Sequence, residues 1–249
     1  MHDYVISTYA PTLGLLRRKQ IKPEEGRSKA VAVLAVGVSK TIIPKMIISP
    51  LPSVKEEMTV IKKIVPMESL VLLQDEMATK ENILMAIKSC TSLHLACHAY
   101  QDLVNPLSSA FLVHGEKLLL SRLLQESLTD AEFAFLSACQ TARGNVWTRW
   151  VQDAAANQHI CLGDENTPDE AMHLAGAMLF LGFRSVIATM WSIDDADGPI
   201  VTKAVYSALF SQPKFEGARA AAALHRIVGE MRAKQMSFEK WVPFISLGL

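Results

Sequence analysis

Short apolar runs alternate along this chain with longer segments whose apolar residues recur every three or four positions. The first run, AVAVLAVG (Ala30–Gly37), is valine-rich and ends in glycine, and it is followed by SVKEEMTVIKKIV, which has helical spacing. Such runs are typical of buried strands, and such segments are typical of amphipathic helices. Because parallel strands need long crossovers that usually contain a helix, the alternation predicts a mostly parallel sheet with helices on both faces.

The same alternation continues to the end of the chain. Further strands are predicted at SLVLLQD, SLHLACH, AEFAFLSAC and SVIATMW, and further helices at TKENILMAIKSC, DEAMHLAGAMLFLGF, Gly198–Phe210 and Phe215–Lys234. Thr79 is the expected N-cap of its helix, because its hydroxyl can accept a hydrogen bond from a free amide of the first turn. SSAFLVHGEKLLLSRLLQ predicts a β-hairpin that turns at His114–Gly115 and leads into a short helix.

Composition narrows the class of protein. The chain has 249 residues, with 25 acidic and 25 basic side chains. A net charge of zero gives no electrostatic reason to expect a nucleic-acid or membrane partner. The four cysteines form no CxxC pair, the N-terminus does not resemble a signal peptide, and no apolar run reaches spanning length. We therefore expect a soluble protein of the reducing cytoplasm.

Two ligand sites are considered and set aside. AVLAVGVSKT resembles a phosphate-binding loop, but Ser39 stands where the glycine before the lysine is required and the upstream glycine is missing. CTSLHLACH holds two histidines, but His94 and His98 would lie roughly 13 Å apart on a strand, at about 3.3 Å per residue. We therefore expect neither a metal nor another cofactor.

One pair of residues remains a candidate for catalysis. His98 ends one predicted strand and Cys139 follows the next, and the carboxyl ends of parallel strands share one edge of a sheet. If the two strands are neighbours, the imidazole can act as a base for the thiol. The alternative is that Cys139 is a small buried apolar residue and that His98 is a hydrogen-bonded core histidine. Position on a common edge favours neither reading decisively.

Six motifs, in order, resemble those of the CHAT domain family, caspase-like modules usually found behind tetratricopeptide repeats. They are ISTYAPTLGLL, LHLACHA, NPLSSAFLVHGEKLLL, AFLSACQTA, DEAMHLAGAMLFLGFRSVIATMWSIDD and WVPFISLG. Their wording is closest to the fungal branch of the family. The resemblance implies that residues 1–249 form a single domain, a caspase-like three-layer α/β/α sandwich with a mostly parallel central sheet.

The resemblance also implies residue roles. Cys139 is the expected nucleophile and His98 the expected general base, and the backbone amides of Ala99 and Cys139 are the expected oxyanion hole. The turn in WSIDD is expected to line the pocket for the substrate's P1 side chain, with Asp194 and Asp195 as contacts. The family usually has glycine where Ala99 stands, and alanine keeps the amide but loses easy access to positive φ. A turn that needs positive φ here would strain the oxyanion hole.

The implied activity is that of a cysteine endopeptidase that cleaves a protein substrate without a cofactor, in a signalling or defence pathway. The alternative is a catalytically silent CHAT module that transmits signals from repeat-type sensors. Those repeats would lie in a longer chain or on a partner. The His98–Cys139 pair favours the enzyme, whereas Ala99 and an insertion after the cysteine motif favour the silent module.

The insertion is the segment 145–163, NVWTRWVQDAAANQHICLG. In the family the cysteine motif runs almost directly into the DEAMHLAGAM-type helix, and deletion of the segment leaves SACQTARGDENTPDEAMHLAGAM, which matches without a gap. A retained intron translated in frame is the preferred explanation. A genuine surface insertion is the alternative, since loops tolerate extra length at modest entropic cost.

Overall fold

The computed structural model describes residues 5–12, 32–44, 46, 48–102, 105–126, 128–137, 173–190, 193–211, 215, 217 and 219–248. In this part of the chain the strands are β1 (Val33–Gly37), β2 (Leu70–Gln74), β3 (Ser92–Ala96), β4 (His98–Tyr100), β5 (Ala110–Val113), β6 (Glu116–Leu119), β7 (Phe133–Leu136), β8 (Ser185–Thr189) and β9 (Phe244–Gly248). The helices are α1 (Val54–Ile64), α2 (Lys80–Ile87), α3 (Leu120–Leu123), α4 (His173–Leu181), α5 (Asp197–Leu209) and α6 (Arg219–Ala233).

The central sheet is mostly parallel, as the sequence predicts. Its six strands lie in the order β2-β1-β3-β7-β8-β9. Every neighbouring pair is parallel except β8 with β9, which is antiparallel. Helices α1, α2 and α4 each lie in a crossover between two parallel strands. The alternation of strands and helices in the sequence therefore follows from the crossovers of this sheet.

Helices cover both faces of the sheet, because successive side chains of each buried strand point to opposite faces. On β1, Leu34 and Val36 pack in a core with α2 and α4. Val33 and Ala35 pack in a second core with α1, α5 and α6. This arrangement is a three-layer α/β/α sandwich.

A small antiparallel sheet lies between β3 and β7 in the chain. It has the order β4-β5-β6, and its hairpin turns at His114–Gly115, as predicted, with Gly115 at a φ of 73°. The prediction of one strand through SLHLACH is wrong, however. β3 ends at Ala96, and His98 begins β4, where it is opposite Leu112 of the small sheet. Both halves of the run are apolar, so the pattern alone could not show where the chain changes sheets.

Helix and strand ends agree with the predictions within a few residues. The hydroxyl of Thr79 accepts a hydrogen bond from the amide of Asn82, which confirms it as the N-cap of α2. α6 begins at Arg219, four residues later than predicted. Near the N-terminus, the amide of Tyr9 donates to Ser246 on β9 at 2.8 Å. Within the described residues, no helix has the length and hydropathy needed to span a membrane.

Candidate active site

His98 lies just past the carboxyl end of β3 and is partly exposed. Its Nε2 is 2.7 Å from the backbone carbonyl oxygen of Ser49, which lies in the segment between β1 and α1. A carbonyl oxygen only accepts hydrogen bonds, so Nε2 must carry the proton in this contact. In the neutral ring, Nδ1 is then the nitrogen with a free lone pair. The contact with Ser49 therefore fixes a tautomer whose Nδ1 can act as a base.

The strands that precede His98 and Cys139 are parallel neighbours, which confirms that part of the prediction. In the β3–β7 pair, Leu95 is opposite Leu136. His98 follows Leu95 by three residues and Cys139 follows Leu136 by three residues in the sequence. Cys139 itself lies outside the described residues, as does the segment 145–163. Ser137, which follows β7 and is the last residue described before Cys139, is 7% exposed.

Ala99 is the middle residue of β4 and lies opposite Phe111. Among the described non-glycine residues, positive φ angles occur at Asp75 and Gln235, so Ala99 is not in the left-handed region. An extended strand accepts alanine as readily as glycine. The departure from the family's glycine therefore introduces no backbone strain at this position.

The two acids of the predicted P1 turn have different surroundings. The Oδ2 of Asp195 accepts a hydrogen bond of 2.7 Å from the amide of Ser53, the residue before α1. The Oδ1 of Asp194 accepts from the amide of Ala196 at 3.2 Å. The side chain of Asp194 is 63% exposed, with the ammonium of Lys240 3.8 Å from its Oδ2. Asp195 is thus bonded to the backbone before α1, and Asp194 faces solvent.

A third acid of this region, Asp197, was not identified from the sequence. It is the first residue of α5 and is almost completely buried, and Lys240 lies 3.2 Å from its Oδ1. Burial raises the pKa of Asp197, and the hydrogen bond and charge of Lys240 counteract that rise. The helix dipole also favours Asp197 at this position, because negative charge is stabilised at a helix N-terminus. The pair ties the segment before β9 to the start of α5.

A buried polar cluster lies between the sheet and the α1–α5 layer, and no sequence pattern indicates which of its residues pair. His94 on β3 is fully buried, with its ring stacked on Phe135 at 4.9 Å between centroids. Its Nε2 is 3.2 Å from Oε1 of Glu57 on α1, although not in line for a hydrogen bond. The hydroxyl of Thr202 on α5 donates to the same oxygen. Burial and the Glu57 charge raise the pKa of Tyr206, one turn further along α5.

The residues of the two ligand sites considered above have partners within the protein. The amide and hydroxyl of Ser39 both donate to Oδ1 of Asp75 at 2.8 Å, so both donors are bonded within the protein. His94 belongs to the buried cluster, whereas His98 lies on β4 of the small sheet. In the part of the chain that the structure describes, no three His, Cys, Asp or Glu side chains are grouped closely enough to hold a metal ion.

A family model described as CHAT domain matches residues 1–249. No curated protein matches the sequence. The crystal structure of the Arg-specific cysteine proteinase gingipain R is similar, with a TM-score of 0.51 and 12% identity over 87% of this chain and 46% of that chain. The complex of the pro- and mature domains of RgpB from Porphyromonas gingivalis has the same TM-score and identity, over 87% of this chain and 47% of that chain.

The chain thus spans about half the length of these two proteinases. At such low identity the likeness bears on the fold alone. It confirms the predicted caspase-like architecture, in which helices flank a mostly parallel central sheet.

Proposed function

The chain belongs to the CHAT domain family, and on that premise we propose that it is a cysteine endopeptidase that cleaves a protein substrate with Cys139 and His98. The observation that carries the proposal is the contact between Nε2 of His98 and the carbonyl oxygen of Ser49, at 2.7 Å. It leaves Nδ1 as the base, just past the end of β3, whose parallel neighbour β7 leads into the cysteine motif.

In the proposed reaction, Nδ1 of His98 accepts the proton of the Cys139 thiol. The thiolate attacks the carbonyl carbon of the scissile peptide, and the amides of Ala99 and Cys139 donate hydrogen bonds to the resulting oxyanion. Collapse of this intermediate breaks the C–N bond, and the leaving amine takes the proton from Nδ1. Water then attacks the thioester, loses a proton to His98, and releases the acid as that proton returns to the Cys139 sulfur.

We place the P1 pocket beside the turn that holds Asp194 and Asp195. Two carboxylates at the edge of a site favour a basic P1 side chain, because opposite charges attract. The name of gingipain R states the same preference for arginine. Asp194 is the better placed for direct contact, because it is exposed while Asp195 is already bonded to Ser53.

The setting of the activity is proposed from the family alone. We place the protein in the cytoplasm, in a signalling or defence pathway, with a tetratricopeptide-repeat region in a longer chain or on a partner as its sensor. We also propose, from the wording of the motifs, that it is nearest to the fungal branch of the family. The second candidate function is a silent signalling module, which is favoured by the segment 145–163 because that segment begins six residues after Cys139 in the sequence.

A peptidyl ketone probe that alkylates cysteine peptidases separates the two candidates. We expect the wild type at pH 7 to be labelled at Cys139, because an activated cysteine is a thiolate well below the pH of a free thiol. Labelling is expected to be lost in Cys139→Ala and strongly reduced in His98→Ala. Equal labelling of the wild type and His98→Ala, or no labelling of folded wild type, favours the silent module.

A further inference from the structure

We propose that Asp195 is a positioning residue that holds the imidazole of His98 in place through residues 49–53, which we name the strap. This inference rests on the proposed function, because it assigns the role of a residue near the same site. It gives Asp195 a different role from its neighbour Asp194, which we expect to contact the substrate.

The strap is fastened at both ends. At its first residue, the carbonyl oxygen of Ser49 lies 2.7 Å from Nε2 of His98. At its last residue, the amide of Ser53 donates a hydrogen bond of 2.7 Å to Oδ2 of Asp195. A hydrogen bond to an ionised carboxylate is roughly twice as strong as one between neutral groups. The catalytic imidazole and the acid therefore hold opposite ends of the same five residues.

The middle of the strap is fixed to the fold. The amide of Leu51 donates to the carbonyl oxygen of Ser39 at 2.8 Å, and the Leu51 side chain is 7% exposed. Leu51 is therefore a fixed point about which the two ends are held. Leu51 limits how far the strap can move, but a displacement of Ser53 can still reach Ser49 along the chain.

The sequence of the strap, SPLPS, makes it stiff. Pro50 and Pro52 each lock φ near −65°, and each also restricts the residue before it to extended conformations. Four of the five residues thus have reduced freedom. A stiff segment transmits a change at one end to the other, whereas a flexible loop would absorb it.

The consequence is that Asp195 holds in place the Ser49 carbonyl oxygen that accepts from Nε2 of His98, without itself touching the substrate. When the Ser53 amide loses its acceptor, the Ser49 carbonyl is less firmly held and the His98 ring samples other orientations and tautomers. Misplacement of a catalytic group by about 1 Å can cost on the order of 100-fold in rate. The loss is expected in kcat, because substrate contacts are unchanged.

Two substitutions distinguish this role from a direct ionic contact with the substrate. Asp195→Asn keeps an oxygen that can accept from the Ser53 amide but removes the charge, whereas Asp195→Ala removes the acceptor. If Asp195 is a positioning residue, Asp195→Ala lowers kcat by about 10- to 100-fold with little change in KM, and Asp195→Asn restores most of kcat. If Asp195 instead binds a basic P1 side chain, both variants raise KM similarly.

The experiment measures kcat and KM on a peptide substrate together with the ¹⁵N chemical shifts of the His98 ring, assigned with His98→Ala. Glu56→Ala is the matched control, because Glu56 is an exposed acid in the first turn of α1. We expect Asp195→Ala to reduce the Nε2-protonated tautomer of His98, and Asp195→Asn and Glu56→Ala to leave it near wild type.

The NMR measurement is independent of turnover, so it tests the inference even if the protein proves to have no peptidase activity. A change of His98 tautomer in an inactive wild-type background supports the strap and refutes the proposed function. Unchanged His98 shifts in folded Asp195→Ala, or equal damage by Asp195→Asn and Asp195→Ala, overturns the strap. If Asp195→Ala does not fold, Pro52→Gly loosens the strap with Asp195 intact, and unchanged His98 shifts in that variant count against it equally.

Discussion

Oε1 of Glu57 lies 3.2 Å from Nε2 of His94, and both side chains are almost completely excluded from solvent. The two residues join α1 to the centre of β3, and Thr202 joins α5 to the same carboxylate. A buried acid needs such partners, because an isolated charge is costly to bury. The cluster therefore fixes the first turn of α1, which directly follows the strap, against the sheet.

Removal of either member of this pair should destabilise the fold. We expect Glu57→Ala and His94→Ala each to lower the free energy of unfolding by about 1–3 kcal/mol, because the remaining polar partner is left buried without its counterpart. Urea denaturation measures the loss, with Glu56→Ala as the exposed control, expected within about 0.5 kcal/mol of wild type. Near-neutral results for both buried variants would show that the pair contributes little. At temperatures where His94→Ala stays folded, it should retain most of its cleavage activity.

The cysteines should differ sharply in reactivity. Burial raises the pKa of Cys90 to about 12, so its thiol is un-ionised in the native protein at pH 8. Iodoacetamide at that pH should modify Cys139 quickly and Cys90 only after unfolding, as read by peptide mass spectrometry. The pKa of Cys90 is higher in the folded than in the unfolded state. The contribution of its protonated thiol to the free energy of unfolding is therefore fully present below about pH 9 and is lost as pH rises towards 12. Rapid native labelling of Cys90 would contradict its burial.

Ala99→Gly should give no gain in activity. Ala99 lies in an extended strand and has no positive φ, so a glycine there relieves no strain. It adds backbone freedom to the unfolded chain and should cost about 0.5–1 kcal/mol in stability. Thermal unfolding and peptide cleavage check both parts. A rise in kcat well above that of wild type would mean that the site needs a conformation that alanine disfavours.

Deletion of residues 145–163 should raise cleavage activity. The segment begins close to Cys139 in the sequence, and loops that crowd a nucleophile disturb its placement. The variant is compared with the full chain by kcat/KM and by urea denaturation, and transcript sequencing tests whether the segment is spliced out. If the deleted chain unfolds, the segment is a structural element of the domain, and the retained-intron explanation is wrong.

The sequence predicted most of the fold because each crossover helix and each buried strand carries its own periodicity. The strands that precede His98 and Cys139 could be predicted as parallel neighbours, because each of these two residues closes an apolar run in the alternation of strands and helices. The change of sheet between Ala96 and His98 could not be predicted, because the apolar run continues through it. The Glu57–His94 and Ser53–Asp195 contacts join residues 37 and 142 positions apart, and no local pattern indicates such pairs.

The central claim is that Cys139 and His98 cleave a peptide bond, and a comparison of new protein N-termini in cells tests it most directly. The wild type is compared with Cys139→Ala and His98→Ala, and Cys97→Ala is the matched control, because Cys97 is a fully buried cysteine beside His98. We expect a set of N-termini that appears with the wild type and Cys97→Ala and is absent from both catalytic variants, although all four proteins are folded. The same N-termini in Cys139→Ala as in the wild type would contradict the account.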